Sequence, residues 1–289
     1  MSTRTKAEAF LVVVTAIWGC TFVVVKGALA DASPLPFLAV RFMLAGLLLL
    51  VILGRGQVDR ATILPGSILG LFLFAGYLFQ TWGLIYTTPS KSAFLTGFSV
   101  ILVPVIMMLS GFRMGSATLV GGVLGLFGIY LLVAPSGMAA VNRGDMLTLA
   151  GALSFAVHIV LVGHYTKKFS FLHLVPVQVL VVGLLSLGAL PFVPHQTLHL
   201  TGRLVGAILV TAVLATGVAF SVQNWAQQYT PAAHTALIFA LEPVFAALSS
   251  WLVIGEHFGG RVLLGSGLIL AGMVISEIWG SSLPSPVEG

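Results

Sequence analysis

Long apolar runs separated by short polar clusters make up the chain, and the runs are continuous rather than alternating, which favours helices over barrel strands. Each accommodates the roughly 20 helical residues that cross a hydrocarbon core of about 30 Å. Ten follow one another, at 9–29, 35–53, 63–86, 90–111, 115–134, 145–165, 171–191, 203–227, 232–254 and 259–279. The pattern predicts an all-α integral membrane protein with ten transmembrane helices. The first run, led by Arg4 and Lys6 and followed by ALADAS, also reads as a secretory signal with a small-residue cleavage site. Against this, Leu11 to Gly27 has a counterpart at Leu147 to Gly163, with Ala16 matching Ala152 and Gly27 matching Gly163, so the run belongs to a repeated unit.

The repeat covers the chain. QTWGLIYT at 80–87 returns as QNWAQQYT at 223–230. In the same order Pro104 matches Pro243, Gly121 and Gly128 match Gly265 and Gly272, and Gly46-Leu47-Leu48 matches Gly183-Leu184-Leu185. Residues 1–138 and 139–289 therefore form two five-helix units, the second ending in a short tail. An odd number of crossings turns the second copy over, which predicts inverted repeats about a pseudo-two-fold axis in the membrane plane.

Composition agrees: 58% of residues are hydrophobic and 7% charged, too few charges to solvate a soluble surface. Arg4, Lys6, Arg55, Arg60, Arg113, Lys167 and Lys168 fall at one set of helix ends, and Lys91, Arg143, Arg203 and Arg261 at the other. The richer side is expected to be cytoplasmic, with both termini inside. The formal charge of +5 reads as topology information and contact with anionic lipid, not as a nucleic-acid footprint. A single cysteine, Cys20, forms no intrachain disulfide.

The polar positions inside the runs carry the candidate chemistry. At 100° per residue, Gln80 shares a helix face with Tyr77 and Leu84, and Gln223 shares one with Thr216, Phe220 and Gln227. Trp82, Tyr86, Trp225 and Tyr229 point elsewhere and fit an interfacial belt. These glutamines and Asn224 need partners or water: they either cross-link helices or line a water-filled cavity, the preferred reading. Ser92, Thr96 and Ser99 share a face that the repeat carries onto Thr235, Ile238 and Glu242. Pro104 and Pro243 are expected to kink their helices and release the carbonyls of Val100 and Phe239, which could receive an ammonium group. Trp18, Thr21 and Phe22 in the first run correspond to a region of the sixth holding Ser154 and His158. Lys26 and Lys91 lie near run ends and are explained by snorkelling. Arg41 and Glu242 lie deeper, where a charge is costly unless solvated or paired, and the repeat places Glu242 on the cavity face. Gly121-x-x-x-Gly125 and Gly267-x-x-x-Ala271 offer surfaces for close helix approach, within one chain or between two through helices five and ten.

Seven histidines form no His-Glu-x-x-His, and there is no Gly-x-x-x-x-Gly-Lys. No metal, cofactor or catalytic pair is expected, and an enzyme is disfavoured.

WGCTFVVVK at 18–26, RFMLAGLLLL at 41–50 and YTPAAHTALIFALEPVFAALSSWLVIGEHFGG in the second half resemble the EamA repeats of the drug/metabolite transporter superfamily. The likeness spans nearly the whole chain, with Glu242-Pro243 and Gly255-Glu256 as its most specific marks. The first half departs from it, with Val103 before Pro104 and Arg113 near where Gly-Glu would fall. Within that family the chain also resembles a bacterial aromatic amino-acid exporter. The resemblance implies a ten-helix inner-membrane carrier of small metabolites, often working outward. The expected function is export of neutral or aromatic amino acids by alternating access, with a broad-range exporter of cationic aromatic compounds as the alternative. The expected substrate contacts are Trp18, Thr21, Tyr77, Gln80, Thr96, Ser99, Ser154, His158, Phe220, Gln223, Asn224, Gln227, Thr235 and Glu242, with His158 and Glu242 as candidates for proton coupling.

Overall fold

A computed structural model describes residues 2–53, 58–111, 115–133 and 142–280. Arg55, Arg113, the boundary at 138/139 and the tail from 281 lie outside the described residues. Regular structure among the described residues is helical, apart from one isolated antiparallel bridge between Ala32 and Leu198. In chain order the helices are α1 (Thr3–Ala28), α2 (Pro34–Ile52), α3 (Ile63–Tyr86), α4 (Pro89–Gly97), α5 (Ser99–Leu109), α6 (Ser116–Val133) and α7 (Arg143–Tyr165). They continue with α8 (Phe171–Ala189), α9 (Gly202–Ala212), α10 (Ala219–Ala226), α11 (Ala232–Phe239), α12 (Glu242–Ile254) and α13 (Gly260–Gly280).

Local chemistry sets the helix ends. Ser2, Thr88, Asn142 and Thr201 each accept a hydrogen bond from a backbone N–H in the first turn of α1, α4, α7 and α9, satisfying donors that have no partner inside the helix. Proline opens α2 and α4, where its missing N–H costs nothing. Gly255 ends α12 at φ 65°, the left-handed position glycine takes without a Cβ penalty.

Among the described residues, seven helical runs are long and apolar enough to cross a membrane: Thr3–Ala28, Pro34–Ile52, Arg60–Tyr86, Pro89–Leu109, Arg143–Tyr165, Phe171–Phe192 and Gly202–Ala226. Shorter apolar helices cover Glu242–Ile254 and Leu263–Gly272. Polarity is turned outside in. Val51, Ile52, Leu64 and Leu252 are exposed, while Arg41, His158, Gln178, Gln223, Asn224 and Gln227 are buried. That distribution suits a chain whose outer solvent is lipid.

Three of the apolar runs are interrupted. The run at 90–111 breaks at Phe98, whose N–H bonds to Leu95 O at 3.2 Å in a tight turn. A π-helical stretch, Val213–Val218, separates α9 from α10, and Ala240 and Leu241 separate α11 from α12. Pro243 is the second residue of α12, directly after its break. Pro104 differs from the expected kink: α5 runs through it, and the interruption lies six residues earlier at Phe98. Losing one internal hydrogen bond does not by itself end a helix whose neighbours hold it.

Glycines mark the tightest crossings. The α2/α8 contact places Gly46 against Leu180 and Gly183 against Met43, and the α6/α13 contact places Gly128 against the Gly265 carbonyl and Gly272 against the Gly121 carbonyl. Further close pairings join α3 to α7 and α8, and α1 to α10 and α12. On α13 the close approach is made by Gly265 and Gly272, whereas the expected Gly267-x-x-x-Ala271 surface is exposed, with nothing within 4 Å of a Cβ on Gly267.

Candidate functional site

The breaks between α4 and α5 and between α11 and α12 border a cavity. Trp18, Thr21, Phe22 and Val25 line it from α1, Arg41 from α2, and Tyr77, Gln80, Thr81 and Leu84 from α3. Gly97 and Ser99 flank the α4/α5 break, and Phe239 and Glu242 flank the α11/α12 break. Thr96, Phe155, His158, Ile159, Phe220 and Gln223 complete the wall.

Aromatic rings form a continuous surface. Trp18 meets Phe220 at 5.4 Å and Phe239 at 5.0 Å between centroids. Tyr77 meets Phe42, Phe155 and Phe220 at 4.9, 5.3 and 6.1 Å, all edge to face, an arrangement that favours ring contact. The Trp18 indole N–H donates to the Ala215 carbonyl at 2.8 Å. Ala215 lies in the π-helical stretch, where the altered hydrogen-bond pattern gives such a carbonyl a role outside its own helix.

Arg41 is buried, at 2% exposure. Its Nε donates to Thr216 Oγ1 at 2.9 Å and its Nη2 to the Tyr77 hydroxyl at 3.5 Å. The guanidinium carbon lies 4.8 Å from the Tyr77 ring centroid and 4.9 Å from that of Phe42. Glu242, also on the wall, opens α12 and is half-buried. Neither group belongs to an ion pair within 4.0 Å among the described residues.

The amides divide into two groups. Gln80 Nε2 donates to Thr96 Oγ1 at 3.0 Å, tying α3 to α4 at the cavity wall. Gln223 Nε2 donates to Gln227 Oε1 at 3.0 Å, while Gln223 Oε1 is buried without a partner. Gln227 Nε2 then reaches the Ile159 carbonyl at 3.0 Å, joining α10 to α7 behind the wall. Asn224 also faces away from the cavity: its Nδ2 donates to Phe220 O at 2.9 Å and its Oδ1 accepts from Gln178 Nε2 at 3.1 Å. With that amide orientation, Gln178 Oε1 lies 2.8 Å from His158 Nε2, so Nε2 carries the imidazole proton. Ser154 Oγ bonds back to Ala150 O at 3.2 Å, and Thr235 Oγ1 is buried without a partner; neither lines the cavity.

The expected contacts therefore separate. Trp18, Thr21, Tyr77, Gln80, Thr96, Ser99, His158, Phe220, Gln223 and Glu242 converge on the cavity, whereas Ser154, Asn224, Gln227 and Thr235 do not. Sequence reasoning left out Arg41 as a wall residue, Phe155 and Phe239 as ring surfaces, and Gln178 as the partner of His158. Phe155 was within reach, since it stands one helical turn before His158.

Polar contacts hold both ends of the bundle. At the C-terminal end of α1, Lys26 Nζ donates to the carbonyls of Leu84, Ile85 and Thr87 at 2.7, 3.1 and 3.1 Å, and so caps α3 rather than snorkelling. Lys91 pairs with the buried Asp145 at 2.7 Å, which also accepts from Thr87 Oγ1, and Ser90 and Ser250 both donate to Glu256. At the opposite end Glu8 lies 3.4 Å from His234 Nε2, and Gln228 Nε2 donates to Thr166 O at 3.4 Å.

The profile of the EamA-like transporter family matches residues 5–134 and, separately, 142–277. An uncharacterized transporter of Archaeoglobus fulgidus is 37% identical over 278 residues, covering 95% of this chain and 87% of that protein. A probable amino-acid metabolite efflux pump of Escherichia coli is 26% identical, covering 96% and 95%. A solved crystal structure that is 19% identical has a TM-score of 0.71 over 96% of this chain and 98% of its own, and thus shares the fold. The chain belongs to the EamA-like transporter family and is a multi-pass membrane transporter, not an enzyme.

Proposed function

We propose that the protein exports small metabolites, foremost neutral or aromatic amino acids, as a secondary transporter working by alternating access. The observation that carries this reading is the cavity itself: a ring-lined chamber whose described wall holds amide and hydroxyl groups, Arg41 and the Glu242 carboxyl, placed where two helical runs are interrupted. Such interruptions expose backbone dipoles to a bound solute while the remaining helices keep the bundle closed to lipid. The names of the efflux pumps of Escherichia coli and Salmonella typhimurium point to the same substrate class.

Two inverted five-helix halves provide the moving parts. Two separate family matches support this division. So do the glycine contacts, because they are reciprocal. Gly128 meets Gly265 while their repeat mates Gly272 and Gly121 meet each other, and the paired glycines Gly46 and Gly183 each press on the other's helix. Such i-to-j and j-to-i contacts are the signature of a two-fold relation. In this reading both termini are cytoplasmic, the protein sits in the cell membrane, and one chain forms the whole carrier. Rocking of the halves breaks the Lys91–Asp145 end and the Glu8–His234 end in turn. His158 and Glu242 are the groups to test for proton coupling, and a flux insensitive to an imposed pH gradient assigns facilitated diffusion instead.

A broader range that includes cationic aromatic compounds is the second reading, favoured by Glu242 beside the aromatic wall. Counterflow in proteoliposomes with an amino-acid panel, a cationic dye and a sugar phosphate separates these outcomes. Amino-acid counterflow supports the first, and dye flux alone supports the second. Absence of flux for every compound rejects both.

A further inference from the structure

Arg41 has a donor surface that the protein does not use up. It is a cation in the interior of a lipid-facing bundle, its guanidinium offers five N–H groups, and its hydrogen bonds are those to Thr216 and Tyr77, the latter long at 3.5 Å. A buried charge with no carboxylate partner is strongly disfavoured unless something else compensates it. Two ring faces do so in part. The position is fixed because α2 is locked against α8 at Gly46 and Gly183, so the side chain cannot be withdrawn by a small helix shift.

The same wall also carries groups of the opposite character. Glu242 presents a carboxyl, and the Gln223 carbonyl is buried without a donor. Trp18, Tyr77, Phe155, Phe220 and Phe239 line the same chamber and offer contact to an apolar body but no charge.

We infer that Arg41 is the specificity-determining residue for a substrate carboxylate, so that the cavity selects molecules with a carboxylate at one end, an amine at the other and an apolar or aromatic body between. The inference rests on the export reading above and deepens it by naming the feature that is recognised. A planar guanidinium matches a carboxylate with two parallel hydrogen bonds, and the substrate ammonium then meets Glu242 and Gln223. A phosphate ester fits poorly. Its second negative charge has no second cation on the described wall, and it shares the chamber with Glu242.

The test is ligand-dependent thermal stabilisation of the purified protein with three probes: phenylalanine, 3-phenylpropionate, which lacks the amine, and phenethylamine, which lacks the carboxylate. Phenylalanine and phenylpropionate are expected to stabilise the wild type and to lose at least about tenfold in apparent affinity in Arg41→Gln, with phenethylamine unchanged. Arg41→Lys, which keeps the charge but not the fork, is expected to fall between. Equal loss for all three probes in both variants makes Arg41 a structural residue and overturns the inference, as does wild-type binding that ignores the carboxylate. Phenylalanine counterflow by the wild type and by Arg41→Gln keeps the two proposals apart: flux that persists at unchanged apparent affinity in the variant sinks the carboxylate assignment alone, and its absence from the wild type sinks the export reading.

Discussion

At the residue scale, the proposed transport depends on polar groups that a lipid-facing bundle would otherwise omit. Gln80 and Gln223 are repeat mates at the cavity wall, one bonded to Thr96 and the other with a buried, unpartnered carbonyl. Replacing either with alanine is expected to lower counterflow about tenfold, the effect of removing one or two buried polar contacts, while membrane insertion and thermal midpoint change little. Unchanged flux in both variants would remove these glutamines from the site. Asp31 plays a different part outside the bundle. The Arg203 guanidinium and the Thr201 hydroxyl bond to its carboxylate and hold it below the usual carboxylate range. The folded chain thus binds this proton more weakly than the unfolded chain. The stabilisation is present above the unfolded pKa and is lost as pH falls through the folded one. The protection factors of amides near the Ala32–Leu198 bridge should fall in acid, and Asp31→Asn should show the lower protection already at neutral pH without an acid step.

At the element scale, close helix approach sets the shape of the chamber. A Cβ on Gly19 would stand 2.6 Å from Phe245 Cβ and 2.7 Å from the Glu242 carbonyl, so α1 presses directly on the first turn of α12 beside the cavity. Gly19→Ala is expected to cost about 1–3 kcal/mol through overpacking and to reduce flux by displacing Glu242. Gly188→Ala in α8, with nothing within 4 Å, serves as the control and should leave the thermal midpoint unchanged or raised. The extents of α2, α3 and α8 could be read from the sequence because uninterrupted apolar length needs no knowledge of neighbours. The breaks could not be read in the same way. Proline at 104 drew attention from Phe98, and the π-helical stretch at 213–218 carries no residue that demands it; tertiary contacts such as the Trp18–Ala215 bond accompany it instead. Side-chain direction was legible on one helix at a time, which grouped Tyr77 with Gln80. Whether an amide meets the cavity or a second helix depends on partners far along the chain, as Gln178 does for His158 and Asn224.

For the whole molecule, the account joins two halves around one chamber whose ends are held by separate polar contacts. Between the halves, Lys91–Asp145 and Ser90–Glu256 secure one end, and Glu8–His234 secures the other. An exporter must release one set before the other re-forms a passage, since simultaneous release would open a leak. Lys91→Ala is therefore expected to shift the resting population toward the state open at that end, and Glu8→Ala toward the opposite state. The most direct test places spin labels at the exposed Thr88 and Arg143 for one end and at the exposed Thr5 and Pro231 for the other, with distance distributions measured in lipid with and without a transported solute. The account predicts two populations at each end that exchange in opposite directions, one end widening as the other narrows. Distances that stay fixed at both ends, or widen together, would contradict it.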